Sequence, residues 1–285
     1  MKINNNYKIA NDVKLYLEGN KQTIDNFAKE SGISKRTIIN ILNEDVMPNK
    51  ETLEKAYSLF YKKGLRINQT KEEIFREINN DEVLFHGSKN GLNEIILNND
   101  RNTCDFGDGF YLGENYLNAL SFVCDYENSS VYSFIFNTKG LNIYKLDCDL
   151  DWLITICYYR GTIDEYKNNK KILKLIEKVE KSDVVIAPIA DNRMFYIMKL
   201  FYEGEINDLV ALHSLSASRL GLQYVFKSKK AINRINQIEN HYLCKLEKQN
   251  AIKELINRTK VIDTKLKMAK REFEGKGKYI DELFK

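Results

Sequence analysis

Two glycine-bearing aromatic runs constrain this chain most: Leu84-Phe85-His86-Gly87-Ser88 and, further on, Asp105-Phe106-Gly107-Asp108-Gly109-Phe110-Tyr111-Leu112-Gly113. Each reads as a strand, because apolar and aromatic side chains favour a pleated, half-buried surface. The glycines of the second run let the backbone come close to a ligand that side chains there would hold off. A histidine on one strand and a tyrosine on its neighbour can form a pocket for a flat heteroaromatic ring, the imidazole bonding a hydroxyl and the phenol ring stacking. A third run, Leu222-Gln223-Tyr224-Val225-Phe226, places one polar side chain in an otherwise apolar strand. Taken singly, His86 between Phe85 and Gly87 is equally well read as a core histidine, and Tyr111 as a core aromatic.

Around these runs the pattern divides the chain. Residues 10–66 read as a bundle of short helices. Within them Ile24, Phe27 and Ala28 line one helix face, Ser31-Gly32 forms a turn, and Ser34 caps a second helix whose apolar face is Ile38, Ile41 and Leu42. After Pro48 a further helix is expected over 51–61. Residues 67–80, polar and charged with one helical stretch, read as a linker. Strands at 131–136, 182–189 and 224–226, with helices over 115–126 and 170–181, give an α+β domain with strands around a central cleft. From Ala231 onward the chain is charged and helical. Leu255, Ile262, Leu266, Ala269 and Phe273 keep the three-four spacing of an amphipathic helix, which either packs on the chain's own domains or pairs as a coiled coil. The expected organisation is multidomain: an all-α domain over 1–66, a linker over 67–80, an α+β domain over 81–230 and a helical extension over 231–285.

Composition excludes more than it identifies. With 285 residues and 43% hydrophobic content the chain can bury a real core. No apolar stretch reaches the roughly 18 residues of a membrane span. The start, Met1-Lys2-Ile3-Asn4-Asn5-Asn6, lacks the apolar run of a secretory leader, so a cytoplasmic location and no membrane partner are expected. Lys and Arg number 44 against 40 Asp and Glu, a net charge of +4, which is too even to argue for nucleic acid by itself. The cysteines, Cys104, Cys124, Cys148, Cys157 and Cys244, show no metal spacing and read as small buried side chains in a reducing compartment, with no metal site expected.

In their order, the three strand motifs resemble the ADP-ribosyltransferase superfamily, in the branch whose triad is His, Tyr and a third polar residue. Within it they are similar to a bacterial group reading His-Gly-Ser, Asp-Phe-Gly-x-Gly-Phe-Tyr-Leu and Gln-Tyr-Val-Phe. The likeness covers residues 81–232. It implies a split central sheet and NAD as co-substrate, with the bond from nicotinamide to ribose broken through an oxocarbenium-like transition state. By the same resemblance His86, Tyr111 and Gln223 are catalytic. His86 bonds the adenosine ribose, the Gly87 backbone clamps the nicotinamide amide beside Ser88, and Tyr111 stacks on the ring. Gly109 and Phe110 also line the cofactor, and Phe122 forms a second aromatic wall. Arg193 holds the pyrophosphate or orients the acceptor, or else caps a surface turn.

Many relatives carry a glutamate at the third position, whereas the Gln223 amide supplies a hydrogen bond and no negative charge. Three consequences stay open: an acceptor that needs no carboxylate, a second acid elsewhere, or binding without turnover. Two further positions depart from the motif. Asp108 stands where a basic residue is common and is expected to face solvent, and Gly113 replaces a small hydroxyl residue. Glu203-Gly204-Glu205 reads as a solvated loop.

Residues 23–42 are similar to the repressor-like helix-turn-helix family. Ser34, Lys35, Arg36 and Thr37, with Asn40 on the same face, would then open a DNA-recognition helix, the other reading being a module that contacts protein. The fusion implies a toxin-like or defence enzyme acting on a protein or nucleic-acid acceptor, with an antitoxin or a second copy as partner. The alternatives are a non-catalytic NAD-sensing transcription regulator and an interaction protein.

Overall fold

The computed structural model describes residues 1–43, 47–97, 104–190, 192–215 and 221–284, the side chains of Asn192 and Arg193 excepted. The chain opens with five helices: α1 (Ile9–Gly19), α2 (Ile24–Ser31), α3 (Lys35–Leu42), α4 (Lys50–Lys62) and α5 (Ile67–Ile78). Strands and helices then mix: β1 (Glu82–Ser88), β2 (Phe110–Gly113), α6 (Tyr116–Ser121), β3 (Ser130–Phe136), β4 (Ile143–Lys145), α7 (Leu150–Tyr159) and α8 (Lys170–Glu180). There follow β5 (Val184–Pro188), α9 (Asn192–Tyr202), α10 (Asp208–Leu215), β6 (Leu222–Phe226), α11 (Lys229–Ile232), β7 (Ile235–Tyr242), α12 (Lys245–Phe273) and α13 (Ile280–Phe284). The architecture is α+β, with a helical N-terminal region.

Two compact units cut across this order. The first gathers Met1–Glu94, Asn115–Asn137 and Ile235–Lys253, the second Ile95–Glu114, Thr138–Arg234 and Glu254–Lys285. The segment boundaries read from sequence therefore do not coincide with the compact units.

In the first unit, local caps make the helices. Thr23 accepts a hydrogen bond from the Asn26 amide to start α2, Gly32 ends it at φ 68, and Ser34 accepts from the Thr37 amide to start α3. Tyr16, Phe27, Ile38, Ile41 and Phe60 then close a common core, joined by Tyr242 and Cys244 from the far end of the sequence. Residues 67–80 contain more than a linker: they carry α5, which buries Asn68, Lys71 and Phe75. Strands β1, β3 and β7 run antiparallel with β3 in the middle.

β7 corrects the expectation of a wholly helical extension after Ala231. Its polar letters, Glu239, Asn240 and His241, imitate a solvated helix, yet all three are buried. Each finds a partner far away in sequence. Lys71 pairs with Glu239, the Asn240 amide donates to the Asn5 carbonyl at 2.9 Å, and His241 bonds Asn68 and Ser133.

In the second unit the strand order is β4-β5-β6-β2, with β4 and β5 parallel and the other pairs antiparallel. Trp152, Ile156, Ile176, Ile197, Phe201 and Val225 fill the core, and α12 adds Ile262, Leu266 and Ala269, so its apolar stripe packs on its own unit. The Trp152 indole donates to the Pro188 carbonyl at 3.2 Å, which satisfies its one polar atom inside that core. Glu203, Gly204 and Glu205 form an exposed loop after α9, and Asp108 is exposed, both as expected.

Candidate active site

Tyr111 and Gln223 share one face of neighbouring antiparallel strands. Tyr111 pairs with Val225 and Gly113 with Gln223, so the tyrosine and the glutamine are diagonal neighbours. On its other side Gln223 faces Ala187 of β5. A glycine and an alanine thus flank the glutamine across the sheet. Phe110, paired with Phe226, lies on the opposite face and is buried, so its side chain takes no part at the Tyr111 face.

The loop before β2 is tied to this face. The Tyr111 hydroxyl donates to the Gly107 carbonyl at 2.7 Å and accepts from the Phe106 amide at 3.2 Å. Burial raises its pKa, so the phenol stays neutral. Lys227 Nζ donates to the Phe106 carbonyl at 2.8 Å, pinning the same loop from β6's end. Glycine is required twice here. At Gly107 φ is +71 and a Cβ would meet the Tyr159 ring at 2.9 Å; at Gly109 it would meet the Val225 side chain at 2.8 Å. The Gly109 requirement is therefore met by packing against β6.

The centre of the site is a buried polar chain. Gln223 Nε2 donates to Asp105 Oδ2 and to the Pro188 carbonyl, each at 3.1 Å. Arg160 Nε and Nη2 donate to Asp105 Oδ1 at 2.9 and 2.6 Å. The guanidinium lies 3.3 Å above the Phe195 ring. Asp105 is 7% exposed, and burial pushes its pKa up against the opposing pull of Arg160 and Gln223. Arg160 and Phe195 also line a pocket of about 260 Å³ with Thr162, Met198, Lys199 and Tyr202. Cys157 lines it too, but burial pushes that thiol up to about 12, which leaves it inert as a nucleophile.

In the first unit His86 sits half-buried on β1, opposite Tyr132 of β3. Gly87 points to the other face, where a Cβ would strike the Ala119 carbonyl of α6. Its missing side chain is accounted for by the close seat of that helix. Ser88 Oγ donates to the Gly91 carbonyl and closes its own turn. Phe122 ends α6 and is 53% exposed.

On α3, Lys35 and Arg36 are exposed and Asn40 is half-buried. Lys35 pairs with Asp25 at 2.8 Å, and the Ser34 and Thr37 hydroxyls bond each other at 2.7 Å. Arg193 lies outside the described side chains.

Asp105 and Arg160 carry the polar chain, and sequence reasoning missed both roles. Asp105 lies inside the second glycine-bearing run, a usable signal, while Arg160 has no local pattern around it.

A family model described as protein of unknown function (DUF3990) matches residues 83–237, more than half of the chain. The chain belongs to that family. The DUF3990 region begins on β1 and ends within β7, so His86, Asp105, Tyr111, Arg160 and Gln223 all lie inside it while α1–α5 and α12 lie outside. No curated protein and no solved structure matches the chain.

Proposed function

We propose that this chain is an NAD-consuming ADP-ribosyltransferase. The observation that carries the reading is the placement of Tyr111 and Gln223 as diagonal neighbours on one strand face, at the second and third positions of the motif triad. In the reaction the bond from nicotinamide N1 to ribose C1′ breaks and its electron pair leaves with the nicotinamide. A nucleophilic acceptor bonds C1′ and gives up its proton, to solvent or to a base. Tyr111 would stack on the nicotinamide and Gln223 would accept from the ribose 2′-hydroxyl, while the motif resemblance alone assigns His86 the adenosine ribose. That hydroxyl bond orients the sugar as positive charge develops at C1′.

On this reading the N-terminal helices address the enzyme to its target, with the start of α3, Ser34 to Thr37, meeting nucleic acid. The acceptor is a protein side chain or a nucleic-acid group, and a toxin-like role with an antitoxin or a second copy as partner follows from the fusion. The second reading, an NAD sensor without turnover, draws on the neutral amide of Gln223. Incubating the full chain with NAD and following free nicotinamide by chromatography separates the two. Release by the wild type and none by His86→Ala supports the transferase; NAD binding without release supports the sensor.

A further inference from the structure

The neutral Gln223 has a carboxylate directly behind it. An amide nitrogen carries two hydrogens and accepts nothing. In Gln223 both are taken, one by Asp105 Oδ2 and one by the Pro188 carbonyl. The Pro188 oxygen also receives the Trp152 indole, so it cannot turn away without orphaning a buried donor. The amide flip is thereby fixed by chemistry, and a ligand can meet Gln223 only at Oε1, as a donor.

Asp105 is held to this task from its other side. Arg160 takes Oδ1 with two hydrogen bonds and leaves Oδ2 for the glutamine. The bonds of Tyr111 and Lys227 to residues 106 and 107 fix the loop that carries it. A carboxylate on the N–H side of an amide draws its hydrogens and pushes electron density to the carbonyl oxygen.

We infer that Asp105 is a positioning residue that fixes Gln223 with its carbonyl oxygen as the one face offered to a ribose-type hydroxyl, and that lends this oxygen the negative character a glutamate would carry itself. The orientation stands on the contacts alone; the identity of the hydroxyl rests on the NAD-consuming reading.

The variant that tests it is Asp105→Asn, which conserves shape. Because Arg160 holds the oxygen of residue 105, the new amide group would confront Gln223 Nε2, donor against donor. Nicotinamide release should fall about 10- to 100-fold in kcat, with KM for NAD within about threefold. Gln223→Glu alone places two carboxylates in contact, which cannot both ionise, and should also lower kcat. In Asp105→Asn/Gln223→Glu the new amide donates to the new carboxylate, which still faces the Pro188 carbonyl, so recovery over Gln223→Glu should be at most about tenfold and stay below wild type.

A readout independent of activity is the side-chain amide of Gln223 in ¹⁵N-glutamine-labelled full chain, identified by its absence in Gln223→Glu. Its proton resonances should move as Asp105 titrates in the wild type and stay still in Asp105→Asn. Wild-type kcat in Asp105→Asn, a gain above wild type in Gln223→Glu, or Gln223 resonances indifferent to residue 105 would each overturn the inference. A wild-type chain that releases no nicotinamide but shows the expected resonances removes the NAD reading and upholds the hold of Asp105 on Gln223.

Discussion

Each unit buries a charged cluster, and the two differ in access. In the first unit Lys71 bonds Asp12 at 2.9 Å and pairs with Glu239, while Tyr57 donates to Asp12; every member is under a tenth exposed. Burial pulls the Lys71 pKa down, but the two carboxylates outweigh it and leave it raised. The cluster is buried and inaccessible. In the second unit Asp105 and Gln223 are equally buried, but Arg160 keeps a quarter of its side chain in contact with solvent at a pocket wall. Asp12, Lys71 and Glu239 also lie outside the DUF3990 match, while Asp105, Arg160 and Gln223 lie inside it. Perturbed charge by itself does not mark a reactive site; perturbed charge beside a pocket makes one a candidate.

The comparison breaks most sharply at Lys71. Lys71→Met leaves two buried carboxylates without their cation and should cost about 3–5 kcal/mol in urea unfolding. A cost near zero would mean that the cluster is open to water after all.

Glu247 gives a pH test of the same unit. Burial pushes it up to about 7, from an ordinary 4.5, despite hydrogen bonds from Tyr116 and Asn68. The folded state therefore holds a proton that the unfolded state has lost, and this contribution is complete below about 4.5 and disappears as pH rises through about 7. The expected loss across that window is roughly 3 kcal/mol, and Glu247→Gln should flatten the profile. A profile unchanged by the substitution would assign the slope to other groups.

Arg160→Met is the counterpart in the second unit. Gln223 still serves Asp105 there and solvent reaches the vacated place, so roughly 1–3 kcal/mol should be lost, less than at Lys71. Equal costs would erase the distinction between the clusters. The exposed cap sets the bottom of the scale: Ser34→Ala removes one hydrogen bond at a helix start and should cost about 1 kcal/mol by the same titration.

What was legible in the sequence follows the same division between local and distant. Thr23, Gly32 and Ser34 cap their own helices within three or four residues, so α2, the turn and α3 could be read directly. The strands around Tyr111 and Gln223 were legible from apolar runs and glycines. β7 was not, because the partners that make its polar residues burial-competent are Asn5, Asn68, Lys71 and Ser133, more than a hundred residues away in sequence. Asp105 and Gln223 meet across 118 residues for the same reason. The glycine at 109 suggests room for a ligand in the sequence, and the structure fills that room with β6.

The most direct test of the account is nicotinamide release from NAD by the purified full-length chain, with His86→Ala alongside. The account predicts release by the wild type that the variant lacks. Equal release by both, or none by a wild type that is folded and offered protein and nucleic-acid acceptors, would contradict it.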